Sequence, residues 1–169
     1  AGACHDVGNS EGAADLDQLA ARDDDLALAR TLAAHADLIS MRRYTAQDFT
    51  VTTKPDRTPV TEADREVEKA IREGIAAARP HDAILGEEFG ATGEQNGEGR
   101  PHRQWIIDPI DGTSNFAWGL PLFGVMAAVT VAGEVVAAAI HDPVRADTAF
   151  AIKGGGAWME SAGGERAAL

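Results

Sequence analysis

From Asp24 onward, apolar residues recur at helical intervals. Leu28, Leu32 and Ile39 lie four and seven apart, with Ala29, Ala33 and Ala36 between them. The pattern predicts a first helix that ends near Arg43. FTVTTK (Phe49 to Lys54) is rich in β-branched residues and predicts a strand. KPDRTP carries two prolines and predicts a turn. Thr61 and Asp64 have the spacing of a capping box, with Thr61 as N-cap. A second helix follows, with Val67, Ala70, Ile71, Gly74 and Ile75 on one apolar face. Arg79-Pro80 stops it.

The period then shortens. AILG (Ala83 to Gly86) reads as a short buried strand that runs into Glu87-Glu88, and residues 91 to 103 read as a polar, glycine-rich loop. QWII (Gln104 to Ile107) is a further strand, which Pro109 is expected to break. LFGVMAAVTV, EVVAAAI and TAFAI, between Leu120 and Ile152, predict an antiparallel meander. KGGGAW (Lys153 to Trp158) reads as a flexible turn that closes it, and His141-Asp142-Pro143 as a turn between meander strands. Trp105, Trp118 and Trp158 read as core or edge aromatics. Residues 1–23 are rich in Ala, Gly and Asp and show no period, so they are expected to be a disordered acidic tail before a domain at 24–169. Two helices followed by mostly antiparallel strands define an α+β fold, not a doubly wound parallel sheet.

Composition narrows the function classes. The 169 residues are 44% hydrophobic and 25% charged, which is ordinary globular composition. The net charge of −12 disfavours nucleic acid and acidic membranes as partners. An acidic chain can still bind a phosphate when cations stand between. No apolar run is long enough for a transmembrane span, and the N-terminal stretch lacks a secretory pattern. Cys4 is the only cysteine, so no internal disulfide forms, and a cytoplasmic location is expected.

Candidate chemistry gathers at strand ends. In DPIDGTSNF (residues 108–116), Asp108 and Asp111 follow an apolar strand and precede Gly112-Thr113. Two close carboxylates repel unless a cation sits between them, and oxygen clusters suit Mg²⁺ or Mn²⁺. A helix starting after Asp111 would turn free N–H groups toward the same point, where a phosphate could sit. The alternative is a plain Asp-Gly turn. In LGEEFG (residues 85–90), Glu87 and Glu88 again follow a short apolar strand, and an extended chain sends them to opposite faces, so that only one reaches the site. Asp64 either closes its capping box or joins the cluster.

Taken together, TKPDRTPVTEAD, LGEEFG and WIIDPIDGTSNF resemble the inositol monophosphatase family of Mg²⁺-dependent, lithium-sensitive phosphatases, in that family's motif order. KPDRTPVTEAD and the Phe-Gly after Glu88 most resemble its histidinol-phosphatase branch, whereas Trp118 stands where many histidinol phosphatases carry arginine. The resemblance implies a layered αβαβα sandwich, of which this chain is the N-terminal portion. The further α/β half with its Trp-Asp motif is absent from these residues. It implies two or three Mg²⁺ ions (or Mn²⁺) held by Glu87, Asp108, Asp111, the carbonyl of Ile110 and, more weakly, Asp64. Glu87 and Thr113 would be catalytic, orienting the attacking water. Asp111, Gly112 and Thr113 would bind substrate phosphate, and Lys54 would add a positive charge nearby. The partner implied is a small phosphorylated metabolite, and the full-length form is expected to be a homodimer. Histidinol phosphate, in histidine biosynthesis, is the first substrate expected. Inositol 1-phosphate is the alternative, as is a non-catalytic truncated relative serving as a binding domain.

Overall fold

The computed structural model describes residues 9–94, 99 and 101–169. In chain order the elements are α1 (Asn9–Ala46), β1 (Val51–Thr53), β2 (Pro59–Thr61), α2 (Glu62–Ala78), β3 (Ala83–Gly86), β4 (Gly90–Thr92) and β5 (Arg103–Asp111). They continue with α3 (Thr113–Ala117), β6 (Gly124–Val131), β7 (Glu134–Asp142), β8 (Asp147–Ile152), β9 (Gly156–Glu160) and β10 (Arg166–Ala168). β1 and β2 form a small antiparallel pair. The other eight strands form one sheet in the order β10-β9-β8-β7-β6-β5-β3-β4. All its pairings are antiparallel except β3 with β5. The expected α+β class, two helices on a largely antiparallel sheet, is what forms.

The apolar face of α2 drives this layering. Val67, Ile71 and Ile75 are buried, as their spacing predicts. Each contributes about 1.5–3 kcal/mol of burial. They pack with Leu26, Ala29, Leu32 and Ala36 of α1 onto the inner sheet face, where Trp105, Ile107, Val125, Ala127, Val129 and Ala139 complete the core. Strand alternation sends Ile106 and Ile140 to the other face, where they are 38% and 51% exposed. No helix among the described residues is long and apolar enough to cross a membrane.

Several expectations are corrected. α1 begins at Asn9, not Asp24, so residues 9–23 belong to a helix rather than to an irregular tail; residues 1–8 lie outside the described residues. That stretch lacks an apolar period but is rich in Ala, which favours helix whatever the pattern. Pro109 does not end β5. Asp108 pairs with Met126 and Asp111 with Gly124, so β5 carries one extra residue, a bulge that removes the need for a proline N–H. The loop expected over 91–103 begins with a short strand, β4, and the turn of KGGGAW leads into two more strands. His141 lies within β7, buried, with Nδ1 2.9 Å from Thr148 Oγ1. Trp118 is neither core nor edge but 76% exposed.

Candidate active site

Three elements build the site from below. At the start of α2, the Thr61 hydroxyl accepts hydrogen bonds from the N–H groups of Ala63 (3.1 Å) and Asp64 (3.4 Å). Asp64 Oδ2 accepts from Thr61 N–H (2.8 Å) and from the Thr61 hydroxyl (2.6 Å), which closes the capping box. Its second oxygen, Oδ1, accepts from the Thr113 hydroxyl at 3.0 Å. Asp64 therefore both caps α2 and contacts Thr113. It is fully buried, and burial raises its carboxyl pKa against the opposing pull of the Thr61 and Thr113 hydrogen bonds.

The second element is the turn after β3. The parallel register sets Gly86 opposite Ile107, so the next residues, Glu87 and Asp108, come side by side. Burial follows the expected alternation: the Glu87 side chain is 39% exposed and that of Glu88 is 4%. Yet both glutamates reach the site region. Lys54 Nζ lies 2.7 Å from Glu87 Oε1 and 2.5 Å from Glu88 Oε1. Burial alone would lower the Lys54 pKa, but the hydrogen bonds to the two glutamates outweigh it and raise it. Glu88 is pushed up by burial, with Lys54 opposing.

The third element is the bulged end of β5 and the turn into α3. Asp108 Oδ1 is buried and has no hydrogen-bond partner among the described residues. Burial first, then the charges of Glu87 and Asp111, push the Asp108 pKa up to about 7. The carbonyl oxygen of the buried Ile110 lies 3.0 Å from the Thr113 hydroxyl oxygen, an alternative to Asp64 as acceptor of its one proton. Gly112 caps α3 in the left-handed region, at φ 89°. A Cβ there would lie 2.9 Å from the Leu122 carbonyl oxygen, so both conformation and space demand glycine. With no side-chain cap, the first N–H groups of α3 are left to the pocket.

Glu87, Asp108, Ile110, Asp111, Gly112 and Thr113 line one cavity of about 210 Å³. Asp111 and Gly112 also border a neighbouring cavity of about 550 Å³, lined further by Leu122, Ile140, His141, Arg145 and Met159. Every candidate residue expected from the sequence is thus near this point: Lys54 contacts Glu87 and Asp64 contacts Thr113, and the rest line the cavity. Among the described residues, no three acidic or histidine side chains close round one position as they stand. The donors nevertheless fit a hard divalent cation. They are carboxylates and a carbonyl, and the orphaned, buried Asp108 oxygen asks for a positive partner.

Two residues escaped the sequence reading. Glu68 and Arg72 lie one and two turns beyond Asp64 on α2, and Glu68 is fully buried. Their spacing of four was visible, but an acid on an otherwise apolar face has no readable partner until the fold is known.

This fold, with helices on one face of a largely antiparallel sheet, is similar to those of solved inositol monophosphatase structures. Thermotoga maritima IMPase superposes with a TM-score of 0.72 at 33% identity, covering 80% of this chain and 51% of that one. Residues 21–168 match the inositol monophosphatase family, and the chain belongs to that family. Similar curated proteins include the histidinol-phosphatase of Chlorobaculum parvum, 44% identical over 80% of this chain and 50% of the relative. The inositol-1-monophosphatase of Rhizobium meliloti is 40% identical over 67% of this chain and 41% of the relative. The chain spans about half the length of the curated relatives it matches.

Proposed function

We propose that this chain carries the cation- and phosphate-binding part of a phosphomonoesterase that hydrolyses a small phosphate ester, histidinol phosphate first. The observation that carries the reading is Asp108, which has one buried oxygen without a partner among the described residues and lines one cavity with Glu87, Asp111, Gly112 and Thr113. Glu87, Asp108, Asp111 and the Ile110 carbonyl are the groups to hold Mg²⁺ or Mn²⁺, and metal dependence is general in this family. When bound, such ions neutralise phosphate oxygens and lower the pKa of water.

The chain's own residues supply orientation and proton transfer. The Thr113 hydroxyl has one proton, which it donates to Asp64 Oδ1, with the Ile110 carbonyl 3.0 Å away as the alternative acceptor, and Thr113 lines the cavity. A water there gives a proton to Thr113 Oγ1 as the Thr113 proton moves to Asp64 Oδ1. The raised pKa of Asp64 suits it to receive that proton. The first N–H groups of α3 hold the phosphate. The adjoining cavity, with apolar Leu122, Ile140 and Met159 beside Arg145, takes the alcohol part of the ester.

Histidinol phosphate is placed first because histidinol-phosphatases stand at 44% and 42% identity, and inositol 1-phosphate second because its named phosphatases stand at 40% and 41%. The test uses this chain completed with the part of the Chlorobaculum parvum relative that it does not cover. Phosphate release from both esters is followed with and without Mg²⁺. Higher kcat/KM for histidinol phosphate, abolished by Asp108→Asn, is expected. A higher value for the inositol ester overturns the substrate. Metal-independent turnover overturns the mechanism.

A further inference from the structure

The turn that presents Glu87 closes the β3–β4 pair, in which Gly86 faces Gly90. Its backbone is held from α2. Glu68 is fully buried, and its Oε2 accepts from Glu88 N–H at 2.6 Å while Oε1 accepts from Phe89 N–H at 3.1 Å. Arg72 Nε donates to Glu68 Oε1 at 2.7 Å. The same guanidinium donates to the Gly90 carbonyl and, at 3.0 Å, to Thr92 Oγ1. One acid and one base, a helical turn apart, thus clasp the chain from Glu88 to Thr92.

Space has been made for this clasp. A Cβ at Gly86 would lie 2.0 Å from Glu68 Oε1 and 2.9 Å from an Arg72 terminal nitrogen. Only glycine lets the end of β3 approach the carboxylate so closely. A buried charge costs several kcal/mol unless it is paired and hydrogen-bonded, and Glu68 is compensated by two backbone N–H groups and Arg72. Burying an ion pair is poor value for stability alone, since apolar side chains of the same volume would serve as well. What an apolar pair could not do is fix the N–H groups of Glu88 and Phe89. That matters because those amides fix the turn that follows β3 and sets Glu87 beside Asp108.

We infer that Glu68, with Arg72, is a positioning residue that sets Glu87 for cation binding by holding the backbone of the Glu87–Phe89 turn. This rests on the proposed function for the role of Glu87, but the clasp itself can be tested separately. Outer groups that orient ligands typically change metal affinity about 10–100-fold when removed.

The experiment compares the 169-residue chain with Glu68→Gln, Gly86→Ala and, as a control, Glu73→Gln, whose side chain is 69% exposed on the same helix. Mn²⁺ affinity is measured by calorimetry, and hydrogen exchange is followed at the Glu88 and Phe89 amides. Glu68→Gln should weaken Mn²⁺ binding about 10–100-fold and lose protection at those two amides, while the control changes neither. Gly86→Ala disturbs the clasp from the strand side and should act in the same direction, which covers the case in which Glu68→Gln fails to fold. Mn²⁺ affinity unchanged in a variant that has lost amide protection overturns the inference. If the parent chain binds no Mn²⁺, the proposed function fails. The clasp is then judged on exchange alone, and unchanged protection in Glu68→Gln overturns it.

Discussion

Asp108→Asn should make the metal-free chain more stable while removing a ligand of the proposed cation site. In the unfolded chain, an aspartate ionises near pH 3.9. In the fold, burial and the charges of Glu87 and Asp111 hold Asp108 protonated up to about pH 7. The folded state therefore binds more protons than the unfolded one between these values, and stability falls as pH rises across that window. Above about pH 7 the loss is complete. A shift of that size corresponds to about 4 kcal/mol at most, and relaxation around a strongly coupled carboxylate reduces it to about 2. Asparagine has the same shape, carries no charge and can donate to Glu87. For a chain of this length, 1 kcal/mol moves Tm by about 2–4 °C. Thermal melts without metal should therefore show Asp108→Asn about 4–8 °C above the parent at pH 8, and little different at pH 4. Added Mg²⁺ should raise the parent's Tm at pH 8 and leave the variant unmoved, because binding to the native state stabilises it. A variant that melts below the parent at pH 8, or that gains as much from Mg²⁺, refutes the reasoning.

Glu87→Gln should weaken Mn²⁺ binding more than tenfold, whereas Glu88→Gln should cost mainly stability, about 1–3 kcal/mol, because it leaves Lys54 beside a buried neutral amide; calorimetry and denaturant melts on both variants check the ranking. Gly112→Ala combines φ 89° with a Cβ 2.9 Å from the Leu122 carbonyl and should lose about 1–3 kcal/mol, read from urea midpoints. Thr113→Val removes the donor to buried Asp64 Oδ1 and should cost about 1–3 kcal/mol, while Thr113→Ser, which keeps the hydroxyl, should lie within about 1 kcal/mol of the parent. In the completed protein, Thr113→Val should also lower kcat more than it raises KM.

Local signals were legible in the chain and non-local ones were not. The Thr61–Asp64 capping box and β3 over Ala83–Gly86 form where the spacing put them, because caps and short apolar strands are decided within a few residues. β1, β2, β4 and β10 are three residues each, too short to carry a period, and only β1 stood out, through its β-branched run. Pro109 misled because the rule against proline in a strand is local, whereas the bulge that admits it is set by pairing with β6. The Asp108–Asp111 pair was visible by type and spacing. Its meeting with Glu87 was legible only through the family resemblance, since it depends on a parallel pairing across a long connection. Glu68 was hidden for the same reason: the amides it binds lie twenty and twenty-one residues away.

That parallel pairing decides which acid faces the cavity. Neighbouring antiparallel strands end at opposite edges of a sheet, so residues that follow their C-terminal ends stay a strand length apart. β3 and β5 run the same way, and both ends release acids at one edge. Within β3, Ile84 and Gly86 lie toward the helices and Leu85 toward the open face, and the same alternation carries Glu88 inward and Glu87 outward. Ile106 and Asp108 follow that outward parity on β5. A slip of β3 by one residue would exchange these sets. It would expose Ile84, losing about 1.5–3 kcal/mol of burial, and would drive Gly86, the one residue that admits the Glu68 carboxylate, away from it. The same contacts that hold Ile84 in the core therefore select Glu87 over Glu88 as the partner of Asp108. Ile84→Thr, at a position that lines none of the proposed site, should therefore weaken Mn²⁺ binding measured by calorimetry, and an affinity equal to the parent's refutes this link between core and site.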